Sequence, residues 1–473
     1  MLAGFHPDPS ICRVDEDYYL VTSSFEYAPA LPLHHSRDLR HWSLVGHVLD
    51  RPSQLALAGA RPSAGMFAPT LRHHGGRFYL IVTNVSDGLG HLLVTADDPA
   101  RPWSEPIRFP GLVGIDPDLA WDAAGTCYLT YSAYRDHRAI GIAQAIIDPD
   151  TGAILEPPAI VWAGTGASYP ESPHLYAIEA AWYLLIAEGG TERGHLAAIA
   201  RAPSPRGPFE PCPHNPILTA RSTNAPIQCV GHADLVQRPD GTWAAVHLGT
   251  RTRGGNAGWS TLGREVFARE VAWRDGWPVV GDPIEPATPA TLVTDDGTRS
   301  GALAPVWISP GRHPGELVDP ASFTITAPAL VARRQQHLHI RVRAVVTGDA
   351  ALVLAIDPAH RYELERIGDR VRAVACIGGA SCVLGERAVA ADTVLQLHTE
   401  PVRALAPGLS SPGPDVVVLG VVDGDAYHEL ARLDGRYLST EVAGGFTGRV
   451  VGIAARAAPV RVVQWEYAGR DDT

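Results

Sequence analysis

The chain has no CxxC pair and no zinc-like cysteine spacing. Cys12, Cys127, Cys212, Cys229, Cys376 and Cys382 are scattered singly, which excludes a zinc ribbon and a dithiol redox centre and reads as reduced thiols. It also lacks a basic excess: 39 Lys and Arg against 51 Asp and Glu give a formal net charge of -12. That balance argues against a nucleic-acid partner and is compatible with neutral polyols or sugars. No apolar run is long enough to cross a bilayer, so no membrane partner is expected. Met1-Leu2-Ala3-Gly4 runs straight into a proline-rich turn without a basic n-region. A cytoplasmic protein is the expectation, although a chain trimmed of its leader reads the same. Stretches of helical period are scarce. What is present is a globular composition, 45% hydrophobic and 19% charged, in a chain long enough for two or three domains.

Short strand-like runs dominate, separated by Gly, Pro, Asp and Asn clusters, so the chain reads as all-β. One unit recurs. A turn leads into an aromatic and aliphatic strand at Asp17-Tyr18-Tyr19-Leu20-Val21, Arg77-Phe78-Tyr79-Leu80-Ile81, Thr126-Cys127-Tyr128-Leu129-Thr130, Ala181-Trp182-Tyr183-Leu184-Leu185 and Thr242-Trp243-Ala244-Ala245-Val246. The interval is roughly 50 to 60 residues, the period of propeller blades. These repeats predict a five-bladed β-propeller over residues 1–285. Tryptophans after the outer turns, such as Trp42 and Trp103, are expected to pack blade cores. Residues 286–300 read as a linker. The alternating runs of 301–473 read as an antiparallel β-sandwich.

A shorter strand precedes each repeat, with a polar or small residue at its entrance: Pro7-Asp8-Pro9, Ala68-Pro69, Asp116-Pro117, Glu171-Ser172-Pro173 and His232-Ala233. In a propeller the first strand of every blade lines the central axis, so Asp8, Asp116, Glu171 and His232 would converge on one mouth. Two carboxyl groups flanking a glycosidic bond suffice for hydrolysis, and a third beside the acid would raise its pKa. The same groups would also serve to cap strands or to hold a structural cation. His232 reads either as a satisfied structural histidine or as a ligand, direct or through water, to a hard cation such as Ca2+.

Gly4 to Ile11, Ser23-Ser24-Phe25-Glu26, His35-Ser36-Arg37-Asp38-Leu39, Ala68-Pro69-Thr70, Gly114-Ile115-Asp116-Pro117, Pro170-Glu171, Ala187-Glu188-Gly189-Gly190-Thr191-Glu192, Pro211 to Ile217 and Gly231-His232-Ala233-Asp234 occur in this order. Together they resemble family 43 glycoside hydrolases, the β-xylosidase branch with a carboxy-terminal β-sandwich above all. The resemblance implies an inverting mechanism with Asp8 as general base, Glu171 as general acid and Asp116 as the carboxylate that tunes the acid's pKa. It implies that Arg264 contacts the innermost sugar, a blade-stabilising salt bridge being the other reading. Thr191, Phe25 and Ala68 match further pocket positions.

Three departures bear on the substrate. Phe67 stands where such proteins usually carry Trp, Ser172 replaces the glycine after the acid, and Arg193 replaces an aromatic residue. The expectation is an exo-acting β-xylosidase that releases xylose from the non-reducing end of short xylooligosaccharides. The alternative within the same chemistry is an α-L-arabinofuranosidase, and the alternative from another class is a non-catalytic glycan-binding propeller. No cofactor is required for this hydrolysis, Ca2+ at His232 is compatible with it, and a homo-oligomer is compatible with the resemblance.

Overall fold

The computed structural model describes residues 2–255, 258–286, 293–295, 298–299, 302–403, 411–457 and 459–471. Five antiparallel sheets follow one another along the first part of the chain. Their innermost strands are Ser10–Val14, Thr70–His74, Gly114–Trp121, Glu171–Ile178 and Ile227–Gln237. Each pairs with the repeat strand that follows it, namely Asp17–Val21, Arg77–Thr83, Cys127–Arg135, Ala181–Glu188 and Trp243–Arg251. Runs such as Phe78-Tyr79-Leu80-Ile81-Val82 are buried throughout, because each such sheet is covered by a neighbour on both faces.

The apolar side chains gather into cores between successive sheets. Leu71 and Leu80 of the second sheet meet Val21 and Leu33 of the first, and three further cores join the second to third, third to fourth and fourth to fifth sheets. A last core joins Val236, Ala244 and Val246 of the fifth sheet to Ile11 and Leu20 of the first. The order of contact is therefore a ring. Leu2 closes it in the backbone as well, exchanging hydrogen bonds with Val266 at 3.0 and 3.2 Å. Trp103 is buried in the core between the first two sheets and Trp42 packs on the closing core, as the sequence suggests.

The second unit stacks a sheet containing His339–Thr347, Val394–Glu400, Val416–Asp423 and Val460–Arg470 on a six-stranded sheet built around Ala350–Asp357 and Val450–Ala455. Trp307, Tyr362 and Tyr467 anchor the core between them. Of the expected linker, 293–295 pair with the terminal strand Val460–Arg470, so pairing with the second unit starts earlier than composition suggests. Residues 287–292, 296–297 and 300 lie outside the described residues. All six cysteines are unbonded. The two units join where Ser309–Pro310 pairs with Tyr27–Ala28, and where Arg449 N–H donates to the Thr261 carbonyl at 3.2 Å.

Candidate active site

The innermost strands enter the ring through a strained residue. Asp8, Asp116, Ser172 and His232 have φ of 57°, 55°, 53° and 49°, the left-handed region that costs an L-residue about 1–2 kcal/mol. Three of the four precede a proline, and the strand register shifts at the entrance of the third, fourth and fifth sheets. Such a break re-aims a side chain that a regular ladder would hold along the strand. It also corrects the alignment of the repeat. The position equivalent to Asp8, Asp116 and His232 is Ser172, and Glu171 stands one residue earlier, ahead of the strained turn.

A cavity of about 550 Å3 opens at this end of the ring, lined by Asp8, Phe25, Phe67, Ala68, Asp116, Glu171, Thr191, His232 and Arg264. These are all the residues expected from the sequence, brought together from the five sheets. Arg264 Nη1 donates to Asp8 Oδ1 at 2.9 Å and to Thr191 Oγ1 at 2.8 Å. Ser23 Oγ donates to Asp8 Oδ2 at 2.5 Å, and His232 Nδ1 stands 3.5 Å from Oδ1. Ser172 N–H donates to Asp116 Oδ2 at 3.1 Å.

These partners set the three carboxyl groups apart. Burial pushes Asp8 upward, but the Arg264 guanidinium and the Ser23 hydroxyl hold it below the usual carboxylate range. Asp116 is pushed well above it by burial and by the charges of Glu171 and Asp8. Glu171 rises to about 7, through burial and the charge of Asp8 and against the pull of Arg264. Asp116 and Glu171 therefore titrate as a pair that retains a proton near neutrality. Burial drives His232 down to about 3, so beside Asp8 it is a neutral imidazole.

Several lining residues carry no signal in the repeat. Phe446 comes from the second unit; its ring stacks on Phe25 at 5.8 Å and lies 5.4 Å from the Arg264 guanidinium. Its N–H donates to Ser63 Oγ at 2.8 Å, and its loop descends only because Gly448 has no side chain: a Cβ there would stand 2.2 Å from the Leu262 carbonyl oxygen. Tyr134 and Tyr169 also line the cavity. Tyr169 is 56% exposed at its mouth, on a loop pinned by buried Glu188, which accepts from Thr165 N and Oγ1 at 3.0 and 2.6 Å.

Two residues further along the inner strands, a second polar group fills the axis. Arg72 of the second sheet pairs with Asp118 of the third at 2.8 Å and Asp234 of the fifth at 2.9 Å, and contacts His174 Nδ1 of the fourth at 2.9 Å. Ser10 of the first sheet donates to Asp234 at 2.8 Å. The carboxylates next to the site are thus already matched by a guanidinium. Among the described residues no three His, Cys, Asp or Glu side chains converge as a metal set.

Residues 1–278 match the family described as glycosyl hydrolases family 43, and residues 315–462 the β-xylosidase C-terminal concanavalin A-like domain. The chain belongs to glycosyl hydrolase family 43. It is 35% identical over 506 residues to a non-reducing end α-L-arabinofuranosidase of Bacteroides ovatus, covering 96% of this chain and 90% of that protein. A xylosidase/arabinosidase of Butyrivibrio fibrisolvens is 44% identical over 293 residues, 59% of this chain and 55% of that one. The crystal structure of a xylan β-1,4-xylosidase from Bacillus halodurans superposes with a TM-score of 0.87 at 30% identity, covering 98% of both chains. This family 43 chain is therefore a glycoside hydrolase with a propeller-type catalytic unit and a sandwich behind it.

Proposed function

We propose that the enzyme is an inverting, exo-acting β-xylosidase working at the non-reducing end of short xylooligosaccharides. The five sheets are read as five blades of one propeller over 1–285, with the sandwich over 301–473 completing the pocket. The observation that carries the proposal is the division of labour among three carboxyl groups in one cavity: Asp8 held ionised, Asp116 and Glu171 held partly protonated. Glu171 gives its proton to the departing glycosidic oxygen while Asp8 takes one from the water that attacks the anomeric carbon from the opposite face. The bond to the leaving sugar breaks as the bond to the water oxygen forms, leaving xylose of inverted configuration and a free alcohol. Asp116, receiving the Ser172 N–H, keeps the acid's proton in place. Arg264 and Thr191 hold sugar hydroxyls, and Phe25, Phe67 and Phe446 wall the ring.

Exo action follows from the shape: the Arg72 cluster fills the axis beyond the site, and Phe446 closes one side, leaving room for a terminal sugar. Tyr169 is placed to receive the leaving group. The second reading, an α-L-arabinofuranosidase, is favoured by the Bacteroides ovatus relative, which matches nearly the whole chain. Comparing kcat/KM for aryl β-xyloside and aryl α-arabinofuranoside decides between them. The xyloside is expected to be preferred, and a tenfold or larger arabinoside preference would reverse the assignment.

A further inference from the structure

Behind the strand that carries Asp8, where the first sheet meets the second unit, lies a separate cavity of about 120 Å3 lined by His6, His34, Arg333, Arg334 and Gln336 among apolar neighbours. Arg334 is 6% exposed, His6 3% and His34 5%. Arg334 Nε donates to the Phe5 carbonyl at 3.0 Å, and its guanidinium lies over the Phe5 ring at 4.5 Å. Its Nη2 and the Nδ1 of His34 are buried with no hydrogen-bond partner. His34 meets His6 edge-on at 5.0 Å, and His47, close by, has an unpartnered Nε2.

Charge distinguishes this pocket from the sites of four other arginines. Arg72, Arg251, Arg264 and Arg449 each face a carboxylate within 3 Å. No carboxylate lines the cavity at Arg334 among the described residues. Burial, then the charge of Arg334, then the neighbouring imidazoles depress His6 and His47, and burial with Arg334 takes His34 to about 3. A buried guanidinium without a counter-charge is strongly unfavourable, and buried donors without partners call for a water or an ion.

We propose that this cavity binds a small monovalent anion of the halide class, held by Arg334 Nη2 and an N–H of His34. One negative charge matches the Arg334 guanidinium, whose Nη2 has no hydrogen-bond partner. The volume of about 120 Å3 is well above the ~10–15 Å3 that a single water needs, enough for a halide with residual water. Few donors and the apolar walls of Leu2, Trp42, Leu44 and Val306 disfavour a multiply charged oxyanion, whose desolvation they would not repay. The ion completes the seam between the two units. It also abuts the segment bearing the proposed base, since His6 N–H donates to the Arg264 carbonyl at 2.9 Å.

The test uses bromide as probe on the full chain. Thermal unfolding is followed as sodium bromide replaces sodium glutamate at constant ionic strength, and crystals grown in bromide are examined at the bromine absorption edge. The expected result is a saturable rise in Tm and an anomalous peak within hydrogen-bond reach of Arg334 Nη2. Arg334→Met removes the saturable rise, and His34→Leu raises the half-saturating concentration several-fold. Equal Tm in the two salts, a cavity without an anomalous peak, peaks at surface residues only, or an unchanged bromide response in Arg334→Met would each overturn the proposal. Should Arg334→Met not fold, the wild-type peak and titration still decide it.

Discussion

Nη1 of Arg264 stands 2.9 Å from Oδ1 of Asp8 and 2.8 Å from Oγ1 of Thr191, so one guanidinium ties the entrance of the first sheet to segments of the fourth and fifth. It has two consequences: Asp8 is fixed in direction, and it is kept ionised although burial works the other way. Replacing Arg264 by Met leaves burial less opposed. The acidic limb of the kcat/KM profile should move up by about one pH unit or more, with a loss of roughly 100-fold or more at the optimum. An unmoved limb would show that Arg264 does not set the ionisation of Asp8.

Glu171 lines the cavity with a pKa raised to about 7, the state required of a proton donor. Glu171→Gln is expected to lower kcat/KM on xylobiose by about 1,000-fold, within the usual range for losing a general acid. On a dinitrophenyl xyloside, whose leaving group needs no proton, the loss should be far smaller. Equal losses on both substrates would remove Glu171 from the role of acid.

The same raised pKa has a cost in stability whose sign is fixed. A carboxyl group that keeps its proton in the folded state, where the unfolded chain has lost it, favours folding most below its unfolded value near 4.5. That advantage is lost as pH rises to about 7. Asp116, also raised, acts in the same direction, whereas depressed Asp8 contributes stability that is lost only as pH falls below the ordinary Asp value of 3.8. Glu171→Gln should therefore be more stable than wild type at pH 8, by on the order of 1 kcal/mol because Glu171 is only partly buried. The gain should vanish at pH 4. Urea midpoints at the two pH values check this, and a variant less stable at pH 8 would contradict a raised Glu171 pKa.

Ser172 combines two unfavourable features: φ is 53° and its buried Oγ has no partner. Ser172→Gly removes both at the expense of some chain entropy, and should raise stability by about 1 kcal/mol. A drop in the unfolding midpoint would mean that the hydroxyl makes a bond through water.

Phe446 is the second unit's contribution to the sugar wall. Phe446→Ala should raise KM roughly tenfold and leave the pH profile unchanged, because the ring touches Phe25 and Arg264 but not the carboxyl groups. An unchanged KM would separate the second unit from substrate binding.

The convergence of Asp8, Asp116, Glu171 and His232 on one cavity was legible because it is written on the repeat. A turn, a short strand and an aromatic strand recur five times, and ring geometry does the rest. The subtler placement was not: whether Glu171 or Ser172 takes the strained position depends on a one-residue break in strand register, which side-chain pattern does not encode. Phe446 was invisible for another reason. It lies outside the repeat, on a loop whose approach depends on Gly448 facing Leu262 across a gap no sequence period reveals. Tyr169 likewise owes its place to Glu188 pinning the loop before it.

The central claim is that water, activated by Asp8, attacks opposite a leaving group protonated by Glu171. Proton NMR of phenyl β-xyloside hydrolysis at early times, before mutarotation, tests it most directly, because a single xylose is released. The account predicts α-xylose as the first-formed product; β-xylose appearing first would contradict it.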